Sequence, residues 1–510
     1  MDYNLVPPEN LRESALIVAA INLFTQNPVK GQILRVFEYH SQGDFDDRWK
    51  EVEKIIKERI KGLKLPQTLE DDLSGISRQI SLEILEWSKY YGKYYCESAF
   101  FNNICWTPQG SIDAEKTAKK LVSYESLSVL KRYEIACIHC FEDMIPDLWK
   151  QLGKEASHLK RMKRSRMYDR LAIFWSYYIN DRAGEIIKDS SINEYGLNIA
   201  IEQGNSVAVR YFWTKLTPEE KEKNREKCIV IAAQKPLTGS GLDKDIRFPK
   251  SCYISILCFF LNQISEEQQV KILHNNATKL NYNILKGFLN FPYQHFFKPT
   301  AKHALSFLEN EDYYYLLSSI ADRILINHEI YGELFQYAWQ KMPGRESAIN
   351  AWQIEEAVSQ LFELKDYRNA KLVLSSTLTS LREKLIFSDR GEDICYSLAK
   401  KDEWDALEDF INLCLVNRYV ALRFNNTEKI SCRLSTDELD SNAEKFTRLV
   451  NRYVASFYID LFCKEIGIGK KRKWESDGNS GKGGGELNKK IKTALEDNKV
   501  TSGVGFKCVS

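Results

Sequence analysis

Tyr195-Gly196-Leu197-Asn198-Ile199-Ala200-Ile201-Glu202-Gln203-Gly204-Asn205, followed by Val207, Val209 and Phe212, is the stretch on which the fold turns. Small and aliphatic residues at helical spacing predict a helix, Gly204 a turn, and the apolar positions beyond it a second helix. The same opening returns at Ile229-Val230-Ile231-Ala232-Ala233-Gln234, with Ala232 standing 32 residues after Ala200. It occurs again at Tyr133-Glu134-Ile135-Ala136-Cys137, with Ala136 standing 64 residues before Ala200. Toward the C-terminus, Glu363-Leu364-Lys365-Asp366-Tyr367-Arg368-Asn369-Ala370 and Lys400-Lys401-Asp402-Glu403-Trp404-Asp405-Ala406 share a charged turn, an aromatic residue and an alanine, about 36 residues apart. Small residues such as Ala370 and Ala406 permit close approach of helices, and the aromatic side chain fills the gap between neighbours.

Composition points the same way. The chain has 510 residues, 44% of them hydrophobic, so it can bury a sizeable core. Only 25 glycines and 12 prolines punctuate it, while aromatic residues reach 12%, a balance that favours long helices packed through large side chains over sheets joined by tight turns. Lys and Arg total 72 against 70 Asp and Glu, leaving a formal charge of +2 and no global field for a polyanion or a membrane surface.

The Ala200 unit resembles an ankyrin repeat, with Leu197, Ala200 and Gly204 at that family's Leu, Ala and Gly positions. Tyr195, Gly196 and Asn198 stand where the family usually has Thr, Pro and His. The offsets to Ala232 and Ala136 are one and two ankyrin-sized periods. Ser123 to Trp149, with Leu130-Lys131-Arg132-Tyr133-Glu134-Ile135-Ala136-Cys137 and Glu142-Asp143-Met144-Ile145-Pro146-Asp147-Leu148-Trp149, resembles an uncharacterised family of animal proteins built on degenerate ankyrin-like arrays. That resemblance covers residues 115 to 240 and implies no activity. The two later segments are similar to the turn between the helices of a tetratricopeptide repeat. The expected fold is therefore all-α: an irregular α-solenoid of stacked helical hairpins, ankyrin-like and then tetratricopeptide-like toward the C-terminus, ending in a disordered tail.

Four parts follow. Residues 1 to 115 are expected to form an N-terminal helical unit: Trp49, Val52, Ile55, Ile56, Ile60 and Leu63 share one helical face, and a second helix runs from about Leu69 to Tyr95 before the turn Thr107-Pro108-Gln109-Gly110. Residues 116 to 430 form the repeat array. Residues 431 to 466 form a capping helix, opened by the capping-box pattern Ser435-Thr436-Asp437-Glu438. Residues 467 to 510, with nine of the 25 glycines and ten Lys or Arg against five Asp or Glu, cannot bury enough apolar area to offset chain entropy.

The constellations that carry chemistry are sparse. Cys137-Ile138-His139-Cys140 supplies half of a zinc site without a second ligand pair, and the pair continues an apolar helical pattern, so both cysteines are expected to be buried structural residues. The seven histidines show no HExxH spacing, no GxSxG element is present, and Gly478-Asn479-Ser480-Gly481-Lys482-Gly483 lacks the spacing of a phosphate-binding loop. No catalytic residue, metal site or cofactor is predicted. Lys160, Arg161, Lys163, Arg164 and Arg166, with Tyr168 nearby, could contact a polyanion if they share a face; a solvated helix between repeats is the plainer reading. Lys470, Lys471, Arg472 and Lys473 have the form of a nuclear-import signal, with a solubilising tail as the alternative.

The sequence also predicts a reduced, intracellular protein, cytoplasmic with a route to the nucleus. The cysteines are scattered singly, and Met1 to Glu13 has acidic residues and two prolines in place of a signal peptide. The apolar run Ser251 to Ser265 is too short to span a bilayer, and Cys508 is misplaced for prenylation. The expected function is a non-catalytic protein–protein interaction scaffold or adaptor with an unidentified protein partner. The alternative is a nucleic-acid-associated nuclear protein using the 160 to 170 run and the tail. Oligomeric state is not fixed by any of these features.

Overall fold

The computed structural model describes residues 1–5, 11–38, 42–92, 97–153, 169–188, 190–234, 248–275, 277–342, 351–415, 426–436 and 439–465. Among them the chain is helical, with no strand and one isolated antiparallel bridge between Trp106 and Ile112. The chain divides into two units between Leu449 and Val450. Of the second, residues 450–465 are described and all are helical.

The helices are α1 (Leu11–Thr25), α2 (Val29–Glu38), α3 (Gln42–Gly62), α4 (Gln67–Gly92), α5 (Glu97–Asn103), α6 (Ala114–Ser123), α7 (Val129–Ile138) and α8 (Ile145–Leu152). There follow α9 (Arg170–Tyr178), α10 (Ile192–Gln203), α11 (Ser206–Lys215), α12 (Pro218–Gln234), α13 (Lys250–Leu261), α14 (Glu266–Asn275), α15 (Ala277–Gly287), α16 (Phe297–Ala304) and α17 (Asn310–Ala321). The remainder are α18 (His328–Lys341), α19 (Ala351–Glu363), α20 (Tyr367–Ser376), α21 (Thr379–Phe387), α22 (Asp389–Lys400), α23 (Trp404–Cys414), α24 (Asn426–Thr436) and α25 (Asp440–Glu465). None is long and apolar enough to cross a membrane among the described residues.

The polar residues buried along α4 explain its place. Leu73, Ile80 and Ile84 join residues of α1, α2 and α3 in one apolar core, where Trp49 donates its indole N–H to Ser81 at 2.9 Å. Gly75, Gln79, Glu83 and Tyr90, at four-residue and then seven-residue spacing, are also buried and form a second face. Gly75 lies so close to Asn327 that a Cβ there would come within 3.0 Å of its side chain. Tyr90 packs on Phe248 with ring centroids 4.3 Å apart, and neighbouring Trp87 meets the same ring edge-on. α4 is thus enclosed on two sides: one face lies in the core of the N-terminal helices, and the other packs on Phe248 and Asn327, far downstream in sequence.

From α7 onward, helices pair with their successors: α7 with α8, α10 with α11, α12 with α13, α17 with α18, α19 with α20 and α22 with α23. First members also touch first members, in the order α7, α9, α10, α12, α15, α17, α19, α22 and α24. Second members do the same from α11 to α13 and through α16, α18, α20 and α23.

A single turn geometry joins several of these pairs. A left-handed residue follows the helix at Cys140 (φ 54°), Asp181 (54°), Gly204 (79°), Lys365 (59°) and Asp402 (57°). In each case the next backbone N–H reaches back five residues: Phe141 to Ala136 O, Arg182 to Tyr177 O, Asn205 to Ala200 O, Asp366 to Leu361 O and Glu403 to Leu398 O, all between 2.8 and 3.0 Å. This is the Schellman closure, which satisfies carbonyls that the helix end leaves open.

Two details depart from the sequence expectation. Ser435 and Thr436 do not open the last helix; they close α24, where the Thr436 hydroxyl donates to the carbonyls of Cys432 and Arg433, both at 2.9 Å. Ser435, whose hydroxyl would be the cap in that pattern, is itself helical within α24, whereas an N-cap residue stands outside the helix it opens. Cys140 does not continue the helix of Cys137, because it occupies the left-handed turn position after α7. The predicted tail, residues 467–510, lies outside the described residues.

Candidate functional site

The repeat-defining residues all prove to be internal. Ala136, Leu197, Ala200, Ala232, Ala370 and Ala406 are buried. Ala136 and Ala200 supply the carbonyls that close two of the turns. Gly204 combines a positive φ with an approach so close that a Cβ would fall 2.3 Å from the Tyr253 ring. Gly196 meets the Phe212 ring at the same distance, so these two glycines set how near the neighbouring helices lie. These residues serve helix packing and turns, and their side chains are buried. The other two sets, Lys160, Arg161, Lys163, Arg164 and Arg166 and then Lys470, Lys471, Arg472 and Lys473, lie outside the described residues.

Cys137 and Cys140 are both buried, and burial raises both thiols well above their ordinary range. His139 between them is buried against Phe141 and Phe248 and is pushed down to about 3, so it stays neutral. No group of three or more His, Cys, Asp or Glu among the described residues could hold a metal ion.

Sequence reasoning missed a cleft of about 510 Å³ within the first unit. One wall comes from α1 and α4, through Arg12, Ile17, Asp72, Ile76 and Gln79; the other comes from the Phe291–His295 segment, Lys298 and the start of α18. Gly110, at φ +83°, lies so near two of the lining residues that a Cβ there would come 3.0 Å from Ile17 and 3.3 Å from the Phe291 ring. Arg12 is ion-paired with Asp72, and Lys298 with Glu333 at 2.9 Å. Asn327 caps α18 by accepting the Ile330 N–H at 3.0 Å. His295 directs Nδ1 at the Pro292 carbonyl, 3.2 Å away, and burial lowers its basicity.

Three glutamines line this cleft, and their amides differ. Gln294 donates to the Tyr331 hydroxyl at 3.0 Å, and that hydroxyl donates to Leu289 O at 2.7 Å. Gln109 donates to Leu5 O at 3.4 Å. Gln79, only 4% exposed, holds a buried amide nitrogen with no hydrogen-bond partner. The cleft size falls within the usual range for ligand sites, and its mixed lining suits a partly polar guest.

Comparison with models of known protein families gives no match, and comparison with curated proteins gives none either. The functional reading therefore rests on the chain's own geometry.

Proposed function

We propose that this chain is a non-catalytic protein–protein interaction scaffold built on an irregular α-solenoid, with an unidentified protein partner. The observation that carries the reading is the recurrent left-handed turn at Cys140, Gly204, Lys365 and Asp402, each joining a helix to the partner that packs on it. Rows of first and second helices then stack side by side, a pattern that yields a long continuous surface without need of a cofactor or reactive group.

Polar contacts between successive pairs support the same reading. Asn369 donates to Gly332 O at 3.1 Å, Trp339 to Ser376 Oγ at 2.7 Å, Lys365 to Glu403 at 2.7 Å and Lys371 to Asp409 at 3.1 Å. All four span 37 or 38 residues, within the range of roughly 20 to 50 residues that stacked repeats show.

Full-length chain used as bait, beside a form lacking residues 467–510 and a form with Lys371 reversed to Glu, tests the proposal. The expected result is a saturable, stoichiometric protein partner retained without the tail and weakened by the charge reversal. Retention through the tail alone, or no stoichiometric partner, would remove the scaffold reading.

A further inference from the structure

We infer that the cleft between α1, α4 and the start of α18 is a binding site for an extended peptide segment carrying a basic residue. This rests on the scaffold reading and names where and what the scaffold binds.

The argument starts from Gln79. A buried amide donor without a partner is destabilising, because the group has lost its water and gained nothing in return. The other two glutamines of the cleft have resolved this internally; Gln79 has not. A change in its earlier side-chain torsions would carry the whole amide toward the cleft and present its N–H to a guest at the wall. The acceptor it requires is a carbonyl oxygen, the group that a peptide backbone supplies at every residue.

The rest of the lining narrows the guest. Ile17, Ile76, Phe291 and Leu334 give apolar surface, and Ile330 at the rim is 37% exposed, a large aliphatic side chain left facing solvent. Around them stand four carboxylates, Glu13, Asp72, Glu329 and Glu333, against two permanent cations, Arg12 and Lys298. Each cation already faces a carboxylate, Asp72 and Glu333 respectively. His295, held neutral by burial, adds no compensating charge. Glu329, exposed at the first turn of α18, then offers a carboxylate to a Lys or Arg on the guest. A peptide combining a backbone carbonyl, aliphatic side chains and one cation satisfies all three features, and its acceptor would remove the cost of the unpartnered amide.

The probe is a random heptapeptide library displayed on phage and panned on the immobilised full-length protein, followed by affinity measurement with the enriched peptides. Enrichment of sequences with a basic residue flanked by aliphatic ones is expected. Gln79→Leu should weaken their binding about tenfold, the loss of one well-made hydrogen bond, while leaving the thermal midpoint unchanged or raised because the unpartnered donor is gone. Glu329→Gln should weaken basic peptides and spare their neutral analogues. Peptides that bind both variants as tightly as the parent would overturn the cleft assignment and leave the scaffold reading standing. Enrichment of acidic or purely apolar sequences, or of none, would overturn it as well. Failure of the scaffold reading is read separately, from the absence of a stoichiometric protein partner.

Discussion

The Asn205 side chain joins two helices that are far apart in sequence: its Nδ2 donates to the Ile138 carbonyl at 2.5 Å, across 67 residues. Its Oδ1 meanwhile accepts the Ala208 N–H at 3.1 Å and caps α11. Asn205 is fully buried, so neither bond is replaced by water if it is lost. Asn205→Ala should cost about 1–3 kcal/mol. Asn205→Asp keeps the cap but sets a carboxylate against a carbonyl, and should be at least as damaging at neutral pH. Urea unfolding of both variants checks this; an Asp variant as stable as the parent would show that the bond to Ile138 contributes nothing.

Gly204 and Lys365 hold equivalent left-handed positions, yet their substitutions should have opposite signs. Gly204→Ala adds a Cβ at positive φ and drives it into the Tyr253 ring, for a loss of about 2–4 kcal/mol. Lys365→Gly relieves the strain of a side chain at φ 59° and removes only an exposed ion pair with Glu403, so it should be neutral or stabilising by up to about 1 kcal/mol. Thermal midpoints of the two variants decide whether the turn geometry is shared in energy as well as in shape.

These two positions also show what the sequence could reveal. Gly204 was legible because glycine announces a left-handed turn, and Leu197 and Ala200 because helical spacing announces a buried face. Lys365 and Asp402 use the same geometry without glycine, so only the charged character of the turn was visible; its identity with the Gly204 turn emerged from the backbone. Ser435-Thr436 misled because a capping pattern and a helix end share the same residue types, and the direction of the hydroxyl bond separates them. The cleft was illegible for a different reason. Arg12, Gln79, Phe291 and Ile330 are brought together only by packing of α1 and α4 on distant helices, and no local pattern encodes that.

Glu83 gives the fold a pH dependence whose sign can be worked out. Burial, reinforced by the nearby charge of Glu86, raises its carboxyl to about 7, although it accepts bonds from Trp87 Nε1 at 3.1 Å and Ile112 N at 3.3 Å. An unfolded glutamate titrates near 4.5. Between these values the folded state binds the proton more tightly, so this group's contribution to stability falls as pH rises from about 4.5 to about 7. Glu83→Gln retains an acceptor for Trp87 and Ile112 without the charge. It should match the parent near pH 5 and exceed it at pH 8 by an amount on the order of 1–3 kcal/mol. Urea midpoints at the two pH values give the comparison, and equal midpoints at pH 8 would show that Glu83 is solvated as an ion.

The first residues of the chain should matter to stability out of proportion to their number. Tyr3 is 3% exposed, stacked on Phe288 with centroids 5.5 Å apart and set edge-on to Phe296 at 5.4 Å. Its hydroxyl pairs with Thr300 Oγ1 at 3.1 Å, and its backbone N–H donates to Asn262 Oδ1 at 2.8 Å. One residue thus ties the N-terminus to the ends of α13 and α15 and to α16. Tyr3→Ala would empty a space between two phenylalanines and should cost about 2–4 kcal/mol, because the rings around it are held by their own helices and collapse poorly. Tyr3→Phe keeps the packing, loses the hydroxyl bond and strands the buried Thr300 hydroxyl, for a smaller loss of about 1 kcal/mol. Guanidinium unfolding monitored by tryptophan fluorescence separates the two. If both variants unfold with the parent, the contacts of Tyr3 are incidental and the terminus is not part of the core; if Tyr3→Phe is as damaging as Tyr3→Ala, the hydroxyl bond, and not the ring packing, holds the terminus in place.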